Sequence, residues 1–180
     1  MREIASKQQL RLAFLRWAVV TVPLVLLLGF TAARLAPAGS QNVWYAALVK
    51  PRFTPPDWVF PVAWTGIYIL LGLALAMILH ARGARLRTLA IVLFVLQLVV
   101  NLTWSPIFFG MHQVTLALGI VVAMFALTLA MAFVFARIRP LAGVLLVPYL
   151  AWLVVAFYLN YGIMDLNPGA ETLAPSASTT

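Results

Sequence analysis

The sequence has 180 residues, of which 64% are hydrophobic and only 9% are charged, and its formal net charge is +8. A soluble domain of this size carries about a quarter of its residues as charged side chains, so this composition excludes a soluble globular protein and indicates an integral membrane protein. Because cysteine is absent, disulfide frameworks and cysteine-based metal sites are excluded as well.

Five uncharged apolar segments predict five transmembrane helices. Each segment has about 17 to 24 residues, which is enough for a helix to cross a hydrocarbon core of about 30 Å. The predicted spans are residues 17–33, 59–79, 88–109, 113–136 and 141–164. The sequence therefore predicts an all-α fold, an integral membrane bundle of five transmembrane helices occupying residues 17–164.

The segments outside the spans differ in length and composition. Residues 1–16 form a basic N-terminal segment, and residues 165–180 are predicted to be a disordered C-terminal tail, since its last part is small and polar. Three connections are short turns, whereas the first connection, 34–58, is long. An alternative for the first span is a cleaved signal peptide, although its apolar run is longer than the usual 7–15-residue core.

The basic residues are distributed unequally between the two sides of the predicted bundle. Nine of the twelve lie on the side of the N-terminus, and only Arg34, Lys50 and Arg52 lie on the other side. The positive-inside rule then predicts a cytoplasmic N-terminus, an extracytoplasmic loop 34–58 and an extracytoplasmic C-terminus. This asymmetry accounts for the net charge, so we expect the lipid bilayer and no nucleic acid as a partner.

Three predicted spans carry aromatic or amide residues at helical spacing, which places them on one face of each helix. These residues are Phe60, Trp64 and Tyr68 in the second span, Gln97, Asn101 and Trp104 in the third, and Tyr149, Trp152, Ala156 and Asn160 in the fifth. Because polar groups are costly in lipid, we expect these faces to turn toward one another. Together they would form a pocket suited to a large, flat and mostly apolar ligand.

Spacing alone leaves a second interpretation open. Amides within spans commonly serve as interhelical hydrogen bonds worth about 0.6 to 2 kcal/mol, without any ligand. Tryptophan and tyrosine near the ends of spans commonly form the interfacial belt, which is the interpretation we favour for Trp17, Trp44, Tyr45 and Trp58. For Trp64, Trp104 and Trp152, pocket and packing remain equally supported.

Several kinds of chemistry are disfavoured by the positions of the titratable residues. The acidic residues lie in loops or tails and do not form a pair that could carry out acid–base catalysis. His80 and His112 fall about one bilayer apart, so that they cannot share a metal ion. We therefore predict no catalytic residue and no metal site, and the sequence favours a binding or transport protein over an enzyme.

Three sequence blocks resemble those of a known family. They are WYAALVKPRFTPPDWVFPVAWTGIY (44–68), NLTWSPIFFG (101–110) and VPYLAWLVVAFYLN (147–160). With these blocks the chain resembles the TspO/MBR family, which comprises tryptophan-rich sensory proteins of bacteria and the mitochondrial translocator protein, or peripheral-type benzodiazepine receptor. The resemblance extends over roughly residues 44–167 and also implies a bundle of five transmembrane helices.

The resemblance implies a ligand and a pocket. It implies a porphyrin, such as protoporphyrin or a haem-like tetrapyrrole, as the ligand, with no obligatory cofactor. In some members it implies cholesterol and synthetic benzodiazepine-site ligands, so that a sterol or lipid is a further expected partner. It also implies a homodimer and a first loop that closes over the pocket. By this resemblance, Trp64 and Trp152 are the pocket tryptophans, Asn101, Trp104 and Ala156 line the pocket, and Trp44, Pro55 and Pro56 belong to the loop that covers it.

Two departures from the family pattern concern the loop and the sterol motif. Phe53 stands where relatives usually have tryptophan, which removes an indole N–H from the loop. Tyr161 is not followed by the Lys or Arg that the sterol-recognition pattern requires.

The long loop combines prolines, aromatic residues and cations. Prolines reduce the entropy cost of ordering the loop over a pocket. Lys50 and Arg52, together with Arg34, are placed where the two propionates of a porphyrin would need partners. Ordinary anchoring of the loop by cations at the membrane interface is an equally supported interpretation. The leading hypothesis is a membrane protein that senses, sequesters or moves tetrapyrroles. The alternatives are an enzyme that degrades porphyrin with light and oxygen, and a lipid or sterol carrier.

Overall fold

A computed structural model describes residues 7–35 and 38–173, and helices are the only regular secondary structure in these residues. The helices are α1 (Lys7–Arg34), α2 (Val43–Ala47), α3 (Val59–His80), α4 (Arg87–Ser105), α5 (Val114–Ile138), α6 (Pro140–Val144) and α7 (Val147–Leu166). Five segments are long and apolar enough to cross a membrane, namely those containing α1, α3, α4, α5 and the consecutive pair α6 and α7. The all-α class and the five predicted transmembrane helices are thereby confirmed.

Three prolines stand where a helix begins or changes its geometry. Pro106 starts a π-helical turn, Pro106–Gly110, which continues α4 toward the next connection. Pro140 and Pro148 lie in the first turns of α6 and α7, where a missing N–H costs little. The fifth predicted span is therefore two helices joined at residues 145 and 146, rather than one.

The helices pack as antiparallel neighbours around a single core. Helix α1 packs along α3, α5 packs along α4, α6 and α7, and contacts of α3 with α4 and α6 complete the bundle. The core contains completely buried aliphatic and aromatic side chains, among them Leu71, Ile78, Met131, Phe135 and Leu146. Many large apolar side chains of the outer helix faces are exposed, as expected where lipid is the solvent.

The described termini differ from the predicted boundaries. Helix α1 begins at Lys7, so residues 7–16 of the predicted N-terminal segment are helical rather than separate from the first span. At the other end, α7 continues to Leu166, and Ala170 is buried against the bundle. The structure thus differs from the predicted disorder at residues 165–173. Residues 1–6 and 174–180 lie outside the described residues.

Helices α1 and α3 come into close contact at Gly72. A Cβ atom at this position would lie 2.6 Å from the Cα atom of Val22. The Thr21 hydroxyl donates a hydrogen bond of 2.7 Å to the carbonyl oxygen of Gly72, across the same contact. The absence of a side chain at Gly72 is what allows the two backbones to approach.

We expect Gly72→Val to lower the free energy of unfolding by about 1–3 kcal/mol, because the new side chain must push α1 away from α3. Thermal or denaturant unfolding in detergent measures this change. Gly119→Val on α5 is the matched control, since a Cβ atom at Gly119 meets nothing within 4 Å. Equal losses for the two variants would show that the contact at Gly72 is unimportant.

Candidate ligand-binding site between helices α3, α4 and α7

A buried hydrogen-bond network joins the three helices whose faces were expected to meet. The side-chain amide nitrogens of Gln97 and Asn101 donate to the hydroxyl oxygen of Tyr149, at 2.6 and 2.5 Å. The Tyr68 hydroxyl donates to the Asn101 side-chain oxygen at 3.3 Å. The Tyr149 hydroxyl lies 3.7 Å from the sulfur of Met124 on α5. The structure therefore brings the polar faces of α3, α4 and α7 together at the centre of the bundle.

Aromatic rings lie beside this network, on the side of the long loop. The Trp64 ring centroid is 5.3 Å from that of Tyr68 and 6.1 Å from that of Tyr149. Phe60, one turn closer to the loop, contacts Trp152 edge to face at 5.8 Å. Phe60, Trp64 and Trp152 are half-buried, so each offers part of its surface to a neighbouring molecule.

These rings lie between α3 and α7, in a region that we call the ring cleft and define by Phe60, Trp64, Trp152 and Ala156. Helix α3 contacts the five-residue α6 more extensively than the much longer α7. The two spans are therefore closest at the α6 end and less closely packed near the loop. A flat ligand needs about 3.5–4.0 Å from each ring plane, so it must lie on the exposed sides of the rings or separate Phe60 from Trp152.

Trp104 and Asn160 lie together in a second aromatic cluster. The Trp104 indole N–H donates to the Asn160 side-chain oxygen at 3.3 Å, and the Asn160 amide donates to the Val114 carbonyl at 3.0 Å. The Trp104 ring stacks on Phe108 with a centroid distance of 5.0 Å. These two predicted site residues thus have partners within the protein, and the ring contacts of Trp104 differ from those of the ring cleft.

The long loop is held against the ends of α5 and α7. Trp44 is 2% exposed, its indole N–H donates to the Ala170 carbonyl at 2.8 Å, and its ring stacks on His112 at 4.4 Å. The Asn167 side chain bonds both the N–H and the C=O of Val49, each at 2.9 Å. The family resemblance implies that Trp44 belongs to a loop covering the pocket. In the structure, Trp44 anchors this loop to the bundle.

Further contacts fix the shape of the loop and of the residues after α7. The Ser40 N–H donates to Asp57 at 2.9 Å, and this bonding by Ser40 holds the pKa of the Asp57 carboxyl below its usual value. Pro51 is buried against Gly162 of α7, where a side chain would overlap the proline ring. Glu171 accepts a hydrogen bond of 2.8 Å from the Thr115 N–H, in the first turn of α5. A carboxylate is favourable there because it offsets the positive end of the helix dipole.

The remaining loop residues of the predicted site differ in exposure. The Lys50 ammonium lies 4.8 Å from the centroid of the Tyr45 ring and 3.3 Å from the Leu48 carbonyl. Arg52 is exposed, and within residues 7–35 and 38–173 it has no hydrogen-bond or ion-pair partner. Pro55 is half-buried and Pro56 is exposed. Arg52 is therefore the loop cation whose charge is more readily available to an acidic ligand.

Two cavities in the structure lie at the ends of the bundle rather than in the ring cleft. The smaller, about 190 Å³, lies between the start of α5 and residues 167–172. The larger lies at the opposite end, between α1 and α3. Neither of these two cavities includes a residue of the ring cleft, where the rings of Phe60 and Trp152 are in contact.

The sequence interpretation missed several residues that shape this region. Tyr149 was predicted to lie on the inward face of the fifth span, but helical spacing did not indicate that it is the hub of the network. Phe108 and His112 were missed because they lie in the π-helical turn and the connection after it, where helical spacing gives no guide. Thr128, which is completely buried on α5, could be recognised only from the packing of that helix.

Comparison with known proteins places this arrangement in a family. The chain is 38% identical over 164 residues to the tryptophan-rich protein TspO of Chlorobaculum tepidum, covering 91% of this chain and 99% of the relative. It is 40% identical over 147 residues to the tryptophan-rich sensory protein of Cereibacter sphaeroides, covering 79% and 91%. It is 34% identical over 160 residues to the human translocator protein, covering 82% and 93%. The TspO/MBR family model matches residues 19–166, and the chain therefore belongs to the TspO/MBR family.

Proposed function

We propose that this protein binds a tetrapyrrole, a porphyrin such as protoporphyrin, in the ring cleft, and that it senses, sequesters or moves this ligand. The observation that carries the proposal is the set of half-buried rings of Phe60, Trp64 and Trp152 between two membrane helices. Flat aromatic surfaces in a membrane suit a flat, mostly apolar macrocycle.

The buried network beside the rings supports the same proposal. Most polar side-chain atoms behind the ring cleft are hydrogen-bonded within the protein, among Gln97, Asn101 and Tyr149. No water molecule is needed there to satisfy them. The Gln97 side-chain oxygen is the exception, since it is buried without a hydrogen-bond partner in the described residues. It can accept a hydrogen bond if ligand binding rearranges the network, and a pyrrole N–H of a free-base porphyrin is such a donor.

The loop supplies the charge that a porphyrin dicarboxylate requires. Arg52 and Lys50 lie on the loop that precedes α3, and we propose that they meet the propionates at the polar edge of the cleft. Arg52 is exposed and has no partner in the described part of the chain, whereas Lys50 must leave its contact with Tyr45. The expected orientation, with this loop outside the cytoplasm, remains part of the proposal.

Titration of the purified protein with protoporphyrin in detergent tests the proposal, with tryptophan fluorescence as the readout. We expect quenching that saturates at one porphyrin per chain, because Trp64 and Trp152 would contact the ligand. Quenching that rises without saturation, as for porphyrin partitioning into the micelle, would contradict a defined site.

We expect the double variant Lys50→Gln and Arg52→Gln to bind protoporphyrin about five- to tenfold more weakly, since partly exposed ion pairs contribute about 0.2–1 kcal/mol each. The dimethyl ester of protoporphyrin, which lacks the two charges, should bind wild type and variant equally. The matched control exchanges Arg137 and Arg139, at the other end of the bundle, for glutamine. Equal losses for acid and ester would rule out the proposed role of the two cations.

A further inference from the structure

The larger cavity lies at the end of the bundle opposite the ring cleft. It has a volume of about 450 Å³ and is lined by Ala13, Arg16, Trp17, Val20, His80 and Arg82. The four α1 residues are spaced i, i+3, i+4 and i+7, so they form one face of the helix. The volume falls within the range of about 300–1,000 Å³ that is typical of small-molecule sites.

The cavity follows from the unequal lengths of α1 and α3 beyond their contact at Gly72. From Gly72, α3 continues for only eight residues to His80, about 12 Å, before the chain turns away at Gly83, which has a positive φ of 83°. From Val22, α1 extends back to Lys7, about 22 Å. Ala13 lies nine residues, about 14 Å, back from Val22 and is thus level with the end of α3 at His80, so the cavity lies where α3 ends and α1 continues.

The cations of this cavity have no carboxylate partner in the described residues. Neither Arg16 nor Arg82 forms a hydrogen bond or ion pair through its side chain within residues 7–35 and 38–173. The three described acidic residues lie at the other end of the bundle: Asp57 in the loop, Asp165 in the last turn of α7 and Glu171 after that helix. Glu3 lies outside the described residues. The cavity thus concentrates positive charge that an external anion can neutralise.

We propose that this cavity binds the phosphate headgroup of an anionic phospholipid. Guanidinium groups bind phosphate through paired hydrogen bonds, and basic cavities between transmembrane helices are suited to anionic headgroups. The other walls fit a lipid better than a soluble phosphate, because Ala13 and Val20 are apolar and Trp17 is an interfacial residue type. Below the cavity, the exposed apolar side chains of α1, such as Leu24 and Leu27, offer a surface for the acyl chains.

A competing explanation requires no ligand. The cations near the C-terminal end of α3 offset the negative end of its helix dipole, an effect that would stabilise the protein by itself. The two explanations predict different effects of replacing the arginines. The helix-dipole explanation predicts that the variant protein is less stable even without lipid, whereas a headgroup site predicts a selective loss of lipid binding.

Native mass spectrometry of the detergent-purified protein, with added phosphatidylglycerol or phosphatidylcholine, distinguishes the headgroup site from the helix-dipole effect. We expect wild type to retain one phosphatidylglycerol in preference to phosphatidylcholine. The double variant Arg16→Gln and Arg82→Gln should bind phosphatidylglycerol about 25-fold more weakly, because each interfacial cation contributes a factor of about five. The matched control, Arg137→Gln with Arg139→Gln, removes two charges from the same end of the bundle outside the cavity and should change binding by less than about twofold.

A second variant tests the cavity without removing charge. Ala13→Phe fills the space between the cations, and we expect it to weaken phosphatidylglycerol binding at least about tenfold while the unfolding midpoint in lipid-free detergent stays unchanged. This variant decides the question if the double arginine variant does not fold. The proposal is overturned if both charge pairs lose binding equally, if Ala13→Phe has no effect, or if glycerol phosphate competes as well as the whole lipid.

Discussion

Tyr149→Ala is expected to lower the free energy of unfolding by about 3–5 kcal/mol, the largest stability loss that we predict for a single substitution in this chain. The ring of Tyr149 is 1% exposed, so its removal leaves a cavity at the centre of the bundle. Its hydroxyl also accepts the amide hydrogens of Gln97 and Asn101, which would lose their partner where no water is available.

Tyr149→Phe separates the two contributions, because it keeps the ring and removes only the hydroxyl. We expect a loss of about 1–2 kcal/mol, in line with about 0.6 kcal/mol for an average interhelical hydrogen bond in membranes and the extra cost of an unpaired amide. Tyr161→Phe is the matched control, since the Tyr161 side chain is 49% exposed on the same helix. Denaturant unfolding in detergent measures all three variants, and equal stability of Tyr149→Phe and Tyr161→Phe would contradict a stabilising network.

Trp152→Ala and Trp64→Ala are each expected to weaken protoporphyrin binding by about 10- to 100-fold. The physical reason is that stacking of a flat ligand on an aromatic side chain is worth about 1–3 kcal/mol, as measured for nucleic acid bases. Replacement by phenylalanine should restore part of the affinity, because the apolar ring surface is retained while the indole is lost. Absorbance titration measures these affinities independently of the tryptophan signal.

Trp58→Ala provides the control for a general loss of indole at the membrane surface. Trp58 precedes α3 on the loop side and is 66% exposed, away from the ring cleft contacts. We expect its affinity for protoporphyrin to stay within about twofold of wild type, as for an interfacial residue outside the site. If Trp58→Ala lost as much affinity as Trp152→Ala, the ring cleft would not be the site.

Hydropathy and helical spacing predicted those features of the molecule that are determined by the sequence of a single helix. The five spans follow from the exclusion of charge from lipid, and the polar faces of α3, α4 and α7 follow from the cost of exposing Gln97 or Asn101 to acyl chains. Both predictions need only the local sequence, because lipid surrounds every span in the same way. The grouping of Tyr68, Asn101 and Tyr149 could therefore be anticipated without coordinates.

Contacts between segments distant in the sequence could not be predicted in the same way. The hydrogen bond from Trp44 to Ala170 joins residues 126 positions apart, and the bonds between Asn167 and Val49 join residues 118 apart. Neither has a periodic signal, because loop residues follow no helical repeat. The short α2 was missed for a related reason, since its N-cap Asn42 accepts from the Tyr45 N–H within a loop rich in proline.

The central claim is that a flat ligand occupies the groove beside Trp152, and alkylation of single cysteines tests it most directly. The chain has no native cysteine, so Ala156→Cys in the ring cleft and Leu129→Cys on the exposed face of α5 each provide one thiol. With saturating protoporphyrin, we predict that N-ethylmaleimide reacts with Ala156→Cys at least about fivefold more slowly, because the bound ligand covers one face of α7, and that Leu129→Cys reacts at an unchanged rate. An unchanged rate at Ala156→Cys, with porphyrin demonstrably bound, would contradict the account.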